Sequence, residues 1–257
     1  MKKTLSLALA LTMALSLAAC GNSGGSSSSA PADASGSSSQ ANSSTSSSSA
    51  NTESDLAYVQ NKGTLVVGIT EFEPMDYQNT DGEWIGFDAD LAKEFAESLG
   101  VTVEFQLIDW DNKVMELDGK TIDVVWNGMT LTEDVLAAME CSQPYLINQQ
   151  VVVVPADVAE DYQTEESLAD LNFAVEIGSA GCEVAQANGY SYTEVADQAT
   201  ALLEVASGTA DAAIIDSLMA GAMIGEGTSY ADMTSTVALT SEEYGVCLLY
   251  TSDAADD

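Results

Sequence analysis

The chain has 257 residues, with 41 acidic side chains against six basic ones, no histidine, and a formal charge of −35. Every base is a lysine, so the sequence contains no arginine. This balance excludes nucleic acid as a partner, which demands phosphate neutralisation, and favours cationic over anionic ligands. Without histidine, neither a zinc site nor a cysteine–histidine catalytic pair is expected, and no cofactor is called for.

Lys2 and Lys3 precede an uncharged apolar run over residues 5–19, the pattern of a secretory signal peptide. The run is too short to cross a bilayer comfortably as a helix. Leu17-Ala18-Ala19-Cys20-Gly21 resembles a bacterial lipobox, in which Cys20 becomes the lipid attachment point after cleavage. An ordinary secretory signal with an incidental cysteine is the alternative. Residues 21–54 hold sixteen serines and almost no large apolar side chain, so they cannot bury enough surface to fold. Such a segment reaches roughly 30 Å and suits a tether from a lipid anchor to a folded body. The expected layout begins with a signal peptide at 1–19 and a lipidated tether at 20–54.

From residue 64 the pattern changes. Leu65-Val66-Val67-Gly68-Ile69 reads as a buried strand, and Asn79-Thr80-Asp81-Gly82 as a tight turn. A helix over 88–99 carries Leu91, Phe95 and Leu99 four apart. Strand 101–108, a short helix over 111–118 and a strand at 122–126 follow, and Gln150 to Val154 is a bare β-branched run. Strand 171–177, helix 182–188, strand 191–195, helix 198–207 and strand 212–215 then repeat the rhythm. Alternating strands and helices predict α/β architecture with mainly parallel sheets covered on both faces.

Gly86-Phe87-Asp88-Ala89-Asp90-Leu91-Ala92, set behind a strand and an aromatic-proline loop with Phe72 and Pro74, resembles the amino-terminal motif of the extracellular solute-binding proteins of family 3. The resemblance runs from about residue 55 to 246. It implies a bilobal periplasmic-binding-protein-like fold: lobe 1 over 55–150, lobe 2 over 151–240, and a return strand to lobe 1 with an atypical tail over 241–257. Such lobes close on a ligand about a hinge. The implied role is the substrate-binding component of an ABC importer, a monomer that delivers an amino acid or related amine-bearing solute to a permease and ATPase complex. It would sit on the outer face of the cytoplasmic membrane, held by its lipid alone. An enzyme of the arogenate or prephenate dehydratase kind and a surface solute sensor are the alternatives.

Open α/β sheets bind ligands beyond the carboxyl ends of their strands. The segments at those ends offer Glu71 and Phe72, then Trp126, Asn127, Gly128 and Thr130, then Ser179 and Ala180, then Asp216. Gly178 to Gly181 opens a helix, whose free amides suit a carboxylate. The resemblance gives that turn contact with the ligand carboxylate. It gives Asp216 the ligand ammonium, a role compatible with capping the next helix. Phe72 and Trp126 either stack on the ligand or pack in the core, whereas Trp84 and Trp110 read as structural. The family also carries an arginine that clamps the carboxylate, but Val135 stands at that position. The ligand is therefore expected to be neutral or cationic, with an ammonium group. Export permits a disulfide among Cys141, Cys182 and Cys247, with at least one thiol left unpaired, and Cys141 reads as a small apolar core residue. After Val246 the sequence departs from the family, which suggests truncation near residue 247.

Overall fold

The computed structural model describes residues 54–249. The expected signal peptide, Cys20, the expected tether up to residue 53 and the residues from 250 on lie outside the described residues. Helix α1 (Asp55–Lys62) leads into strand β1 (Thr64–Ile69), the hairpin β2 (Tyr77–Gln78) and β3 (Trp84–Ile85), helix α2 (Phe87–Leu99) and strand β4 (Thr102–Leu107). A 3₁₀ turn over Trp110–Asn112 runs into α3 (Lys113–Asp118), followed by β5 (Val124–Thr130), α4 (Glu133–Ala138), β6 (Met139–Cys141), β7 (Leu146–Asn148) and β8 (Gln150–Pro155). Then come β9 (Asn172–Glu176), α5 (Ala180–Asn188), β10 (Ser191–Val195), α6 (Gln198–Ser207), β11 (Ala212–Asp216), α7 (Ser217–Met223), β12 (Met233–Ala238) and β13 (Glu242–Leu249).

The strands form two large sheets, one ordered β4-β1-β5-β13-β6 with β7 on β13, the other β10-β9-β11-β8-β12. Each has three parallel strands, β4, β1 and β5 in the first and β10, β9 and β11 in the second. The strands that carry the chain between sheets extend them antiparallel. The chain crosses once at Gln149, between β7 and β8, and returns over residues 239–241, between β12 and β13.

Uninterrupted apolar strands arise because both faces of each sheet are covered. On β8, Val151 and Val153 join Ala213 and Ile215 of β11 beneath α6 and α7, while Val152 and Val154 pack with Ile214 towards α5. The first sheet divides likewise, with Leu65, Val67, Ile69, Val124 and Trp126 towards α1 and α2, and Val125, Met129 and Cys247 on the other face with Leu117 of α3.

Several expectations are corrected at this level. Asn127 to Thr130 is not a loop, because β5 continues through Thr130. Gly128, at φ 59°, bends it where a Cβ would fall 2.4 Å from the Phe72 ring. The face of α2 that meets the sheet is Ala89, Ala92 and Ala96 rather than Leu91, Phe95 and Leu99. Small side chains let the helix sit close, leaving Phe95 to pack edge-on against Trp126 at 6.0 Å. The start of α2 is fixed by carbonyls: Phe87 N–H donates to Pro74 O at 3.0 Å and Asp88 N–H to Met75 O at 3.0 Å. Gly86 permits this approach, since a Cβ there would stand 2.2 Å from the Met75 oxygen. Residues 247–249 belong to β13 rather than to an atypical tail.

Cys141 does not pack as a free apolar thiol. It lies directly across from Cys247 in the β6–β13 register, with Cα atoms 4.2 Å apart, and the two form a disulfide. Cys182 is the free, buried cysteine among the described residues. The disulfide closes a loop of 106 residues, so reduction or a Cys141→Ala/Cys247→Ala double substitution lowers unfolding free energy by roughly 2–4 kcal/mol. Denaturant unfolding with and without reductant measures this.

Asp76 and Asp88 are fully buried beside the start of α2. Asp88 Oδ2 accepts from Gly128 N–H at 2.7 Å and from the Tyr145 hydroxyl at 2.8 Å. Among the described residues no donor reaches either Asp76 oxygen. Burial, then the charges of Asp88 and Asp90, push Asp76 up to about 9, against the opposing pull of Lys93. Burial alone outweighs the donors on Asp88 and raises it to about 6. The folded protein thus holds a proton on Asp76 that the unfolded chain releases above its ordinary value of 3.8. Stability from this group is complete at low pH and is lost as pH rises from about 4 through about 9. Asp76→Asn, which keeps the neutral shape, gives a shallower fall in melting temperature from about pH 5 to about pH 9.

Candidate binding site

The carboxyl ends of the parallel strands face one cleft between the two sheets. From the first sheet it is lined by Thr70, Glu71 and Phe72 after β1, Trp110 and Lys113 after β4, and Asn127, Met129 and Thr130 at the end of β5, with Thr132 and Val135 beyond. From the second sheet come Glu176, Gly178, Ser179 and Ala180 after β9, Gln198 at the start of α6, and Asp216 and Met219.

Asp216 ends β11 and occupies the N-cap position of α7, but its side chain makes no capping bond. Its carboxylate turns instead to the polar residues where the chain crosses between sheets. Oδ1 accepts from Asn148 Nδ2, from Gln150 Nε2 at 3.0 Å and from the Tyr244 hydroxyl at 2.6 Å; Oδ2 accepts from Gln198 Nε2. The residue is 4% exposed, and burial raises it to about 6 despite the donors, of which Tyr244 is foremost. Glu242 shares the same amides, taking Asn148 Nδ2 and Gln150 Nε2 each at 2.8 Å, together with Thr130 Oγ1 at 2.9 Å.

Glu176, at the end of β9, is buried without an ion pair among the described residues. Burial, then the charge of Asp216, push its carboxyl up to about 8, with a hydrogen bond from Gln198 and, less, the charge of Lys113 pulling the other way. Lys113 is buried too; its Nζ donates to Gly178 O at 2.8 Å and to Trp110 O at 3.3 Å. Burial lowers this ammonium below the usual lysine range, against the opposing charges of Glu176, Asp111 and Glu183. Ser179 caps α5, accepting from Cys182 N–H at 3.1 Å while its hydroxyl donates to Glu176 O at 2.8 Å.

Of the residues singled out from sequence, Glu71, Phe72, Asn127, Thr130, Ser179, Ala180 and Asp216 come together in this cleft. Asn127 is engaged with Thr70, accepting from its N–H at 3.0 Å and donating to its Oγ1 at 2.8 Å. Gly128 is not among the lining residues; its N–H is bound to Asp88. Trp126 is not there either. Alternation along β5 puts it on the face of Val124, in the core under α2, while Asn127 and Met129 take the face towards the cleft. Trp110, read as structural, lines the cleft, as do Lys113, Glu176 and Gln198, which sequence reasoning missed. The strand-end rule finds Trp110, Lys113 and Gln198 once it is applied to the segments after β4 and β10 as well.

A family model for bacterial extracellular solute-binding proteins, family 3, matches residues 65–220. The L-cystine-binding protein TcyJ of Escherichia coli K12 is 28% identical over 199 residues, 76% of this chain and 74% of that protein. The arginine-bound form of a truncated ArgBP from T. maritima is 33% identical with a TM-score of 0.69, covering 75% of this chain and 91% of that one. The ancestral amino acid-binding protein AncCDT-1, a precursor of cyclohexadienyl dehydratase, is 31% identical with a TM-score of 0.71, covering 78% and 88%. On the extent of the family match and the shared bilobal fold, the chain belongs to the bacterial extracellular solute-binding proteins, family 3.

Proposed function

We propose that this solute-binding protein captures a small amine-bearing solute, an amino acid or related compound, in the cleft between its sheets and hands it to an ABC permease and ATPase complex. The observation that carries the reading is the buried Asp216 carboxylate at the end of β11, with Glu71 and Glu183 lining the same space. Anions concentrated in a low-dielectric cleft favour a cationic group there. Phe72, Trp110 and Met129 supply apolar walls, and Ser179 with Thr130 supplies neutral hydroxyls. Relatives whose names specify cystine, bound arginine and amino acids support the solute class. The similarity to a dehydratase precursor is to an amino acid-binding protein, which favours binding over catalysis. The protein acts as a monomer, attached through Cys20 to the outer face of the membrane.

A thermal-shift screen of amino acids and amines tests the ligand class. A solute at a hundred times its dissociation constant adds about 2.7 kcal/mol of stability, and Asp216→Asn removes most of that shift. Responses to glutamate or aspartate alone, unchanged by Asp216→Asn, would refute the assignment.

Attachment is tested by fractionation. Cys20→Ser moves the protein from the membrane to the soluble fraction with its melting temperature unchanged, whereas a variant that stays with the membrane rules out the lipid anchor.

A further inference from the structure

Lys113 is the only base among the described residues that line the cleft. Two carbonyls hold its ammonium, Trp110 O from its own turn and Gly178 O from the opposite sheet, and its Nζ stands 5.0 Å from the centroid of the Trp110 ring. An ammonium carries three N–H donors, so one remains. No carboxylate oxygen of the described residues lies within 4.0 Å of it, since the ion pairs among them are Lys62 with Asp123 and Lys93 with Asp90. Glu176, Asp111 and Glu183 act on it only at longer range. A buried charge without a close partner is costly, and an arriving anion relieves that cost. Val135, on the same wall, brings no charge.

Asp216 and Lys113 reach the cleft from opposite sheets, one anionic and one cationic. We propose that Lys113 is a specificity-determining residue whose remaining N–H donates to the carboxylate of the bound solute, so that the cleft selects zwitterionic amino acids over amines that lack a carboxylate. The inference rests on the cleft's reading as an amine site and narrows it. A zwitterion satisfies a charge on each sheet and so binds the closed arrangement better than the open one, which is the only way a ligand can drive closure.

The test uses the mature protein and a panel of protein L-amino acids, each beside its C-terminal amide, with affinities from calorimetry. Wild type prefers the acid over its amide by about tenfold to a hundredfold, the range of one charge-assisted hydrogen bond. Lys113→Gln, which can still donate to Gly178 O, loses that preference while its affinity for the amide stays within about twofold. Lys113→Arg keeps the preference, and circular dichroism and melting temperature verify that both variants fold. Equal binding of acid and amide by wild type overturns the assignment. So does a preference that survives Lys113→Gln, or a loss that strikes acid and amide alike, as a mere latch between sheets would give. In those cases Asp216→Asn still weakens every ligand and the amine site stands. If neither acids nor amides bind wild type, the amino acid reading itself falls, and this inference with it.

Discussion

Two carboxylates, buried Asp216 and half-buried Glu242, share one set of amides where the chain passes between its sheets, and the rest of the structure is arranged around that sharing. Asn148 and Gln150 flank the first crossing, and each donates to both Asp216 and Glu242. Tyr244 from the returning strand completes Asp216, and Thr130 and Thr240 complete Glu242. Neutral amides offer donors without adding charge, so like charges can be brought close only if every acceptor is met. The network ties β7, β8, β11 and β13 at the place where relative movement of the sheets must originate. Asp216 is thus a structural element of the crossing as well as a lining residue of the cleft.

Away from the crossing, the sheets meet through fewer contacts. Lys113 reaches Gly178 O, Thr132 Oγ1 approaches Glu183 Oε1 at 3.4 Å, and Asp111 stands so close to Gly178 that a Cβ there would fall 2.9 Å from its Oδ1. These three contacts are polar. Phe72 and Met75 also share one buried apolar cluster with Ile215 and Met219, so apolar packing holds the sheets together as well.

Much of the architecture was legible because strand periodicity and helix caps are local signals. The β-branched runs at residues 65–69 and 150–154 are strands, and Ser179 and Asp197 cap α5 and α6. The site was legible only where the strand-end rule was applied. Trp126 was misplaced because its strand continues past it, and a register count begun at Val124 would have put it in the core. The bend at Gly128 gave no clearer signal, since a glycine reads as a turn until the strand is seen to resume. The Cys141–Cys247 pair was beyond reach, because it depends on β6 and β13 being neighbours across 106 residues of chain. Lys113 shows the opposite failure: in a chain so poor in cations, its place just past a strand was a visible clue.

The way the chain leaves the first sheet and returns has a consequence for how the molecule is made. The second sheet is an insertion, and β13 must come back from it to pair with β5 and β6 before the first sheet is whole. A polypeptide emerging amino terminus first can assemble β1, β4 and β5 early, yet it lacks β13, the strand that joins β5 to β6 and β7, until the second sheet has been made. Long-range pairing of this kind is slow. The nascent first sheet therefore waits with an open edge on β5, a template for wrong partners. Its completion, and the oxidation that seals it, both wait for β13.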